Sequence, residues 1–230
     1  MAKAVLFDLG NTLIDARREN HEVFQSILAA LGVKPPDGDA IIDAIKKTGK
    51  EFREKGLHAY NCADHLEDFW VPWDKAVLTR LGIEGDLARY AREIHYRWFD
   101  HLYIYAYDDS VPTLEALKER GYLLGIISNG LEDEIYDVLR RSGINHHLFN
   151  ALVGSDTFRC EKPGQRIFTE TLKRMGVEAQ DSAFVGDRSD TDGGATKVGM
   201  RFFLIDRKGK GGMPGWAEGI ESLSELLTKL

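Results

Sequence analysis

Polar side chains follow four short apolar runs that lie far apart in the sequence. Each run ends in a residue that could do chemistry: Asp8 after Val5–Phe7, Ser128 and Asn129 after Tyr122–Ile127, Lys162 in the loop after Ala151–Val153, and Asp187, with Asp192 shortly beyond it, after Ser182–Val185. If the runs are parallel strands, these ends share one edge of a sheet, which is where ligands bind in open α/β sheets. The sequence therefore predicts a single polar crevice.

The predicted crevice contains three carboxyl groups, those of Asp8, Asp187 and Asp192. Carboxylates this close repel one another and acquire raised pKa values unless a cation is present. Mg²⁺ suits such a set, because it takes hard oxygen ligands and is often held by one or two carboxylates beside a substrate phosphate. We therefore predict a Mg²⁺ site.

The remaining groups of the crevice suit a phosphorylated substrate. Lys162 supplies a fixed positive charge, while Ser128 and Asn129 can donate hydrogen bonds to phosphoryl oxygens. No Ser–His or Cys–His signature follows a predicted strand, so a carboxylate is the expected nucleophile, and Asp8 is the best candidate. Its attack on phosphorus would give an aspartyl-phosphate that water then hydrolyses.

Strands and helices alternate through most of the chain. Short apolar runs bounded by glycine are typical of buried parallel strands. Helical patterns separate them, at residues 110–120, 132–142, 166–175, 190–198 and 222–229, and Ser110 is predicted to cap the first of these helices. This alternation predicts an α/β fold with a doubly wound parallel, Rossmann-like sheet.

A helical segment interrupts the alternation after the first strand. Helices are predicted at about residues 23–31, 39–55, 63–81, with an interruption near Pro72, and 86–103. We therefore predict a core domain of residues 1–15 and 108–230, with residues 16–107 inserted as an α-helical cap domain. The aromatic side chains of the insert are expected mainly to fill its core, with one or two lining a substrate pocket: Tyr60, Phe69, Trp70, Trp73, Tyr96, Trp98 and Phe99.

Composition narrows the class of protein. A formal net charge of −7 argues against a nucleic-acid partner, and no apolar stretch is long enough to span a membrane. Two cysteines without metal or redox spacing, and no predicted secretion signal, indicate a reducing cytoplasm. We expect a monomer or homodimer whose partner is a small phosphorylated substrate.

The glycine-rich stretch 209–215 is predicted to be a surface loop, since it lacks the phosphate-loop pattern.

Four motifs, in this order and spacing, resemble the haloacid dehalogenase superfamily, and in particular its phosphatase-like members with a helical cap inserted after the first motif. The motifs are Phe7–Thr12, Ile127–Gly130, Lys162-Pro163 and Val185–Asp192. The resemblance extends over nearly the whole chain. It implies that Asp8 is both nucleophile and Mg²⁺ ligand, with the main-chain carbonyl of Gly10 and the carboxylate of Asp187 as further ligands.

The same resemblance implies roles for the other motif residues. Ser128 and Lys162 would hold the phosphate and orient Asp8, and Asp192 would support the metal or Lys162. Thr12 and Asn129 are predicted to contribute to substrate binding, although a turn or cap role would explain either residue.

The sequence departs from the phosphatase pattern at Gly10. Phosphatases of this superfamily usually have an aspartate there, two residues after the nucleophile, which acts as general acid and base; such a group contributes about 10²–10⁴ in rate. Three hypotheses follow: a phosphatase of reduced or altered efficiency, a 2-haloacid dehalogenase, whose halide leaves without a proton, or a regulatory protein that binds phosphate and metal. The acidic pair Asp187 and Asp192 would repel a halide, which favours the phosphatase.

Overall fold

The computed structural model describes residues 3–62, 67–207, 209 and 214–230, and the chain divides into two compact units. One unit comprises Met1–Asp15 and Tyr105–Leu230, and the other comprises Ala16–Ile104. Among the helices of the described ranges, none combines the length and apolar character that crossing a bilayer requires. The predicted loop 209–215 falls largely on residues outside the described ranges.

The first unit is built on a six-stranded sheet. The described strands are β1 (Ala4–Phe7), β2 (Ile14–Ala16), β3 (Ile104–Ala106), β4 (Leu123–Ile127), β5 (Ala151–Val153), β6 (Ser182–Gly186), β7 (Arg201–Ile205) and β8 (Glu218–Ile220). The order in the large sheet is β5-β4-β1-β6-β7-β8, with parallel pairing throughout, and β2 pairs with β3 separately. The predicted parallel α/β core is confirmed. Strand β8 and the small β2–β3 sheet were not predicted.

Strand β1 lies near the middle of the sheet, between β4 and β6. All four of its residues are buried, which explains its uninterrupted apolar sequence. Phe7 is level with Ile126 of β4 and Val185 of β6. The polar residues that follow these three strands therefore emerge at the same edge.

Eight described helices accompany the strands: α1 (Asn20–Ala30), α2 (Gly38–Glu54), α3 (Glu67–Arg80), α4 (Leu87–Leu102), α5 (Ser110–Glu119), α6 (Glu132–Ser142), α7 (Gln165–Met175) and α8 (Leu226–Lys229). The prediction that Ser110 caps α5 is wrong. Asp109 occupies the cap position, and the Ser110 hydroxyl instead donates to the Leu13 carbonyl at 2.7 Å. The helix predicted at 190–198 is a 3-10 segment, Asp192–Val198.

The second unit contains α1 to α4. Its apolar core is made by one face of each helix, with Phe24 of α1 in edge-to-face contact with Trp98 of α4. Some of its aromatic residues lie on the surface instead, and Tyr96 is 64% exposed. The predicted interruption at Pro72 is wrong, because α3 continues through Pro72 to Arg80. Residues 63–66, where that helix was predicted to begin, lie outside the described residues.

Candidate active site

Asp8 is fixed at the edge of the sheet by the backbone around it. Its own N–H donates to the carbonyl of Val185 at 2.8 Å, so the β1–β6 pairing extends one residue beyond the strand. Three residues later Asn11 has a φ of 54°, in the left-handed region that asparagine tolerates better than most residues. The chain therefore turns away immediately after presenting the Asp8 carboxylate.

Lys162 lies between two carboxylates. Its Nζ is 2.6 Å from Oδ1 of Asp8 and 2.7 Å from Oδ1 of Asp192. The Lys162 and Asp192 side chains are only 2% and 1% exposed, whereas that of Asp8 is 14% exposed. Burial alone would lower the pKa of Lys162, but the charges of Asp8 and Asp192 outweigh it and raise that pKa. Lys162 is therefore a permanent cation shared by two acids.

Asn129 holds the backbone of Lys162 from both sides. Its side-chain amide donates to the Lys162 carbonyl at 3.0 Å, and its side-chain oxygen accepts the Lys162 N–H at 2.7 Å. The next peptide bond, Lys162-Pro163, is cis. Ser128 turns its hydroxyl oxygen towards the Gly130 N–H, at 3.0 Å. The structure thus places the Asn129 side chain against Lys162, and this contact fixes where the lysine enters the site.

Asp192 approaches the sheet closely because residue 186 is glycine. A Cβ at Gly186 would lie 2.3 Å from Oδ2 of Asp192, which is closer than non-bonded atoms can come. That same oxygen accepts the backbone N–H of Arg188 at 3.0 Å. Burial raises the pKa of Asp192, while Lys162 opposes the increase. Oδ2 of Asp192 thus accepts a hydrogen bond from the backbone, and Oδ1 forms an ion pair with Lys162.

Asp187 completes a group of three acids. Asp8, Asp187 and Asp192 each place one carboxylate oxygen within 4.8 Å of the others. Burial, followed by the negative charges of Asp8 and Asp192, raises the pKa of Asp187 to about 6. A divalent cation would relieve this repulsion, and carboxylate oxygens are the ligands that Mg²⁺ prefers. The residues therefore fit a metal ion, as predicted, although Lys162 already neutralises part of the charge.

Gly10 and Thr12 differ in their surroundings. Thr12 is wholly buried, and its hydroxyl lies 3.4 Å from Oδ2 of Asp8, a long hydrogen bond. Gly10 is exposed, and a Cβ added there would meet no atom within 4 Å. Space therefore does not require glycine at the position where the superfamily's phosphatases usually have their acid.

One buried arginine beside the site was not predicted to have a role. Arg207 donates from Nη2 to the Thr12 carbonyl and from Nη1 to Oδ2 of Asp109, both at 2.8 Å. Its guanidinium also lies 4.0 Å from the centre of the Tyr107 ring. Arg207 therefore ties the turn after Asp8 to the segment before α5. In the sequence, the position of Arg207 just after the last predicted strand is the feature that could have indicated this role, and in a single sequence that indication is weak.

Asp109 receives several donors in this network. Burial would raise its pKa, but hydrogen bonds from Arg207, the Ser222 hydroxyl and the Leu223 N–H outweigh that effect and lower it. The acid is therefore ionised: its Oδ2 accepts all three hydrogen bonds, and its Oδ1 lies 2.8 Å from Nη2 of Arg207, so the Arg207 contact is a charge-assisted one.

A family model described as haloacid dehalogenase-like hydrolase matches residues 5–205 of the chain. The chain belongs to this family. Within the haloacid dehalogenase superfamily it is a phosphatase-like hydrolase, which confirms the resemblance inferred from the four motifs.

Its relatives include both phosphatases and dehalogenases. A glyceraldehyde 3-phosphate phosphatase of Methanopyrus kandleri is 32% identical over 213 residues, covering 91% of this chain and 86% of the relative. A phosphoglycolate phosphatase of Aquifex aeolicus is 29% identical, covering 83% and 78%. An (S)-2-haloacid dehalogenase of Pseudomonas putida is 30% identical, covering 90% and 85%.

Solved structures show the same fold. A haloacid dehalogenase-like hydrolase of Bacillus subtilis, determined with bound magnesium, superposes with a TM-score of 0.74 at 19% identity, covering 100% of this chain and 98% of that one. A 2-haloacid dehalogenase of Pseudomonas syringae gives 0.72 at 23% identity, covering 99% and 97%. At these identities the likeness establishes the architecture and leaves the substrate open.

Proposed function

We propose that this chain is a Mg²⁺-dependent phosphatase of small phosphorylated metabolites, with Asp8 as its nucleophile. The observation that supports this most directly is the position of Lys162, whose Nζ lies 2.6 Å from Asp8 beside a group of three carboxylates. The relatives that act on glyceraldehyde 3-phosphate and phosphoglycolate favour a short-chain organic phosphate as the substrate class.

Asp8, Asp187 and the Gly10 carbonyl would hold the ion in this proposal, with Asp192 supporting it and Lys162. The metal would supply positive charge for the phosphoryl oxygens. Lys162 orients Oδ1 of Asp8, because its buried Nζ lies 2.6 Å from that oxygen. Ser128, Asn129 and Thr12 stabilise the turns next to Asp8 and Lys162. In this proposal, the polar groups of these three side chains would also contact the substrate.

The proposed reaction has two displacements. A carboxylate oxygen of Asp8 bonds to phosphorus while the bond from phosphorus to the leaving oxygen breaks, and the leaving group takes a proton. Water then attacks the aspartyl-phosphate, which releases inorganic phosphate and restores the carboxylate. Since Gly10 cannot provide the proton, water must do so, and substrates with good leaving groups, such as acyl and aryl phosphates, should react fastest.

The first test is a phosphatase assay with p-nitrophenyl phosphate, acetyl phosphate, glyceraldehyde 3-phosphate and phosphoglycolate. We expect turnover with Mg²⁺ and none after EDTA treatment. Asp8→Asn should reduce kcat at least about 10³-fold, the scale of losing a nucleophile, while the circular dichroism spectrum is unchanged. Asp43→Asn, which removes a carboxylate from an exposed ion pair with Lys47, is the matched control and should retain activity. Undiminished turnover by Asp8→Asn would exclude Asp8 as nucleophile.

A dehalogenase is the second candidate, because a haloacid dehalogenase is among the relatives and Gly10 is compatible with a leaving group that needs no proton. The three clustered carboxylates weigh against it, since they would repel a departing halide. Chloride release from 2-chloropropionate in EDTA, with no phosphatase activity in Mg²⁺, would establish this alternative. Mg²⁺ binding without turnover on either substrate class would support the regulatory hypothesis.

A further inference from the structure

One serine hydroxyl in the second unit brings two basic side chains together. Oγ of Ser26, on α1, lies 2.8 Å from Nδ1 of His101, on α4. The same oxygen lies 2.8 Å from Nη1 of Arg18, in the segment before α1, and it accepts that hydrogen bond because a guanidinium only donates. Arg18 and His101 are therefore near enough that an anion bound to Arg18 would act electrostatically on the His101 ring.

Uncharged groups hold Arg18 in place. Its Nη1 also donates to the His101 carbonyl at 3.4 Å, a long hydrogen bond, and its guanidinium carbon lies 4.8 Å from the centre of the Tyr103 ring. Within residues 3–62, 67–207, 209 and 214–230, the partners of Arg18 are these groups and the Ser26 hydroxyl, and none of them is a carboxylate. The charge of Arg18 is therefore fixed in position without a direct ion pair.

The unused donors of Arg18 lie along one edge of its guanidinium. Ser26 and His101 contact Nη1 only, so Nε and Nη2 have no partner in the described part of the chain. Neither atom belongs to the buried, unpartnered polar atoms of that part, so both reach solvent. The Nε–H and one Nη2–H of such an edge point in parallel and match two oxygens of a carboxylate or phosphate.

The surroundings of His101 are positively charged. Burial, followed by the charges of Arg18 and Arg97, lowers the pKa of His101, and the charge of Asp100 opposes this effect. Arg97 already forms an ion pair with Glu93 at 2.7 Å, whereas Arg18 has no such partner among the described residues. An anion bound to Arg18 would therefore offset the effect of its charge and raise the pKa of His101.

We propose that the free edge of Arg18, with His101 beside it, is an oxyanion-binding site of the helical unit. A carboxylate or phosphate would form charge-assisted hydrogen bonds there without breaking an ion pair. Because Ser26 and Tyr103 already hold the guanidinium, little side-chain freedom is lost on binding. Inorganic phosphate and the carboxylate of an organic acid share this chemistry. The site uses none of the residues of the candidate active site, so the proposal does not depend on the phosphatase activity.

The test is an NMR titration that follows the histidine rings. The chain has seven histidines, and His101→Gln assigns the His101 signal in the spectrum of the full-length protein with ¹³C-labelled histidine. The titrations use inorganic phosphate, acetate and phosphoglycolate, all in EDTA so that no turnover occurs. Sodium chloride added to the same ionic strength is the control, because it screens charge without offering two oxygens.

We expect the His101 signal to shift saturably, and the pKa of His101 to rise, with at least one of the three oxyanions and not with chloride. A response to phosphate would identify a phosphoryl group as the ligand, a response to acetate a carboxylate, and a response to phosphoglycolate alone a molecule that contains both. Arg18→Gln should weaken binding at least about tenfold, the loss of one charge-assisted hydrogen bond. Arg18→Lys, which keeps the charge but not the parallel donors, should recover part of the affinity.

Arg97→Gln is the matched control, because it also removes a cation that acts on His101, but one that is already paired with Glu93. Its response to the anions should equal that of the wild type. The proposal would be overturned by an absence of saturable shifts with all three oxyanions, by an equal shift with chloride, or by an undiminished response of Arg18→Gln.

Discussion

Two buried aspartates, one in each unit, have opposite surroundings. Asp192 is 1% exposed; its Oδ1 forms an ion pair with the Lys162 ammonium, and its Oδ2 accepts a hydrogen bond from the Arg188 N–H. Asp74 is 4% exposed and has no partner among the residues that the structure describes. Burial raises the pKa of both groups, but a cation opposes that effect only for Asp192.

The comparison distinguishes two ways in which a protein can keep a buried carboxyl group. In the first unit, the cost of burying Asp192 is offset within the protein, so the site is organised before any ligand arrives. In the second unit, no described residue offsets the cost of burying Asp74. The protein is therefore less stable than it would be with an apolar residue at that position. Unpaired groups of this kind are often retained for function, because stability and activity trade off at binding sites.

The largest expected effect comes from adding an acid to the well-compensated region. Gly10→Asp would place a carboxyl where no atom lies within 4 Å of the new Cβ. It would supply the missing general acid, so we expect phosphatase kcat to rise about 10²–10⁴-fold, most for alkyl phosphates with poor leaving groups. Steady-state kinetics on glycerol 3-phosphate and p-nitrophenyl phosphate measure the difference. Gly10→Asn controls for size, and an equal gain from it would show that proton transfer is not the cause.

Removing the shared cation should make Asp192 resemble Asp74. Lys162→Met keeps most of the apolar stem but leaves Asp8 and Asp192 facing each other without Nζ. Breaking a buried pair in this way costs about 3–5 kcal/mol. Urea denaturation of the metal-free protein should therefore show a lower free energy of unfolding. The double variant with Asp192→Asn should recover part of the loss, whereas additive losses would mean that the two groups are not coupled.

This contrast also explains what could be predicted from the sequence. Asp8, Lys162, Asp187 and Asp192 were found because parallel strands bring their ends to one edge, so topology alone places the groups. The structure brings these four together, and Asp192 contacts Lys162 as one of its two predicted roles required, whereas its hydrogen bond from the Arg188 N–H was not predicted. Asp74 was not singled out, because apolar periodicity cannot show whether one acid in a helical stripe is paired. Strand β8 was missed for a similar reason, since three residues containing glycine give no clear period.

Arg207 offers a smaller test within the compensated region. Arg207→Met would remove the donor to the Thr12 carbonyl and the cation beside Asp109 while keeping much of the contact with Tyr107. Charge-assisted hydrogen bonds of this type contribute about 1.5–3 kcal/mol each, and Arg207 makes two, one of them to a partly exposed acid, so we expect a loss of about 3 kcal/mol in the free energy of unfolding. Because the turn after Asp8 would loosen, kcat should fall about tenfold with KM little changed.

Arg201→Met is the matched control for this variant. Arg201 pairs with Glu218, but both side chains are more than 40% exposed, so losing the pair should cost less than about 1 kcal/mol. Equal effects of the two substitutions on stability, or a change in KM rather than kcat for Arg207→Met, would argue against a positioning role for Arg207.

The smallest expected effect concerns the pH dependence that Asp74 imposes. A carboxyl whose pKa is raised in the folded state binds its proton more tightly there than in the unfolded chain. Its relative stabilisation is therefore complete below the unfolded pKa, near 3.9, and is lost as pH rises through the folded value. Asp74→Leu lacks this titration, so its stability advantage over the wild type should grow with pH across that window, reaching about 1–3 kcal/mol. Urea denaturation at a series of pH values from 4 upwards measures the difference.

Thr48→Val is the control variant, since the buried Thr48 hydroxyl accepts a hydrogen bond from Arg80 at 3.2 Å. This substitution should lower the free energy of unfolding without the pH dependence expected for Asp74→Leu. If Asp74→Leu instead lowers stability at every pH, the carboxyl is satisfied within the fold, and the contrast between the two buried aspartates fails.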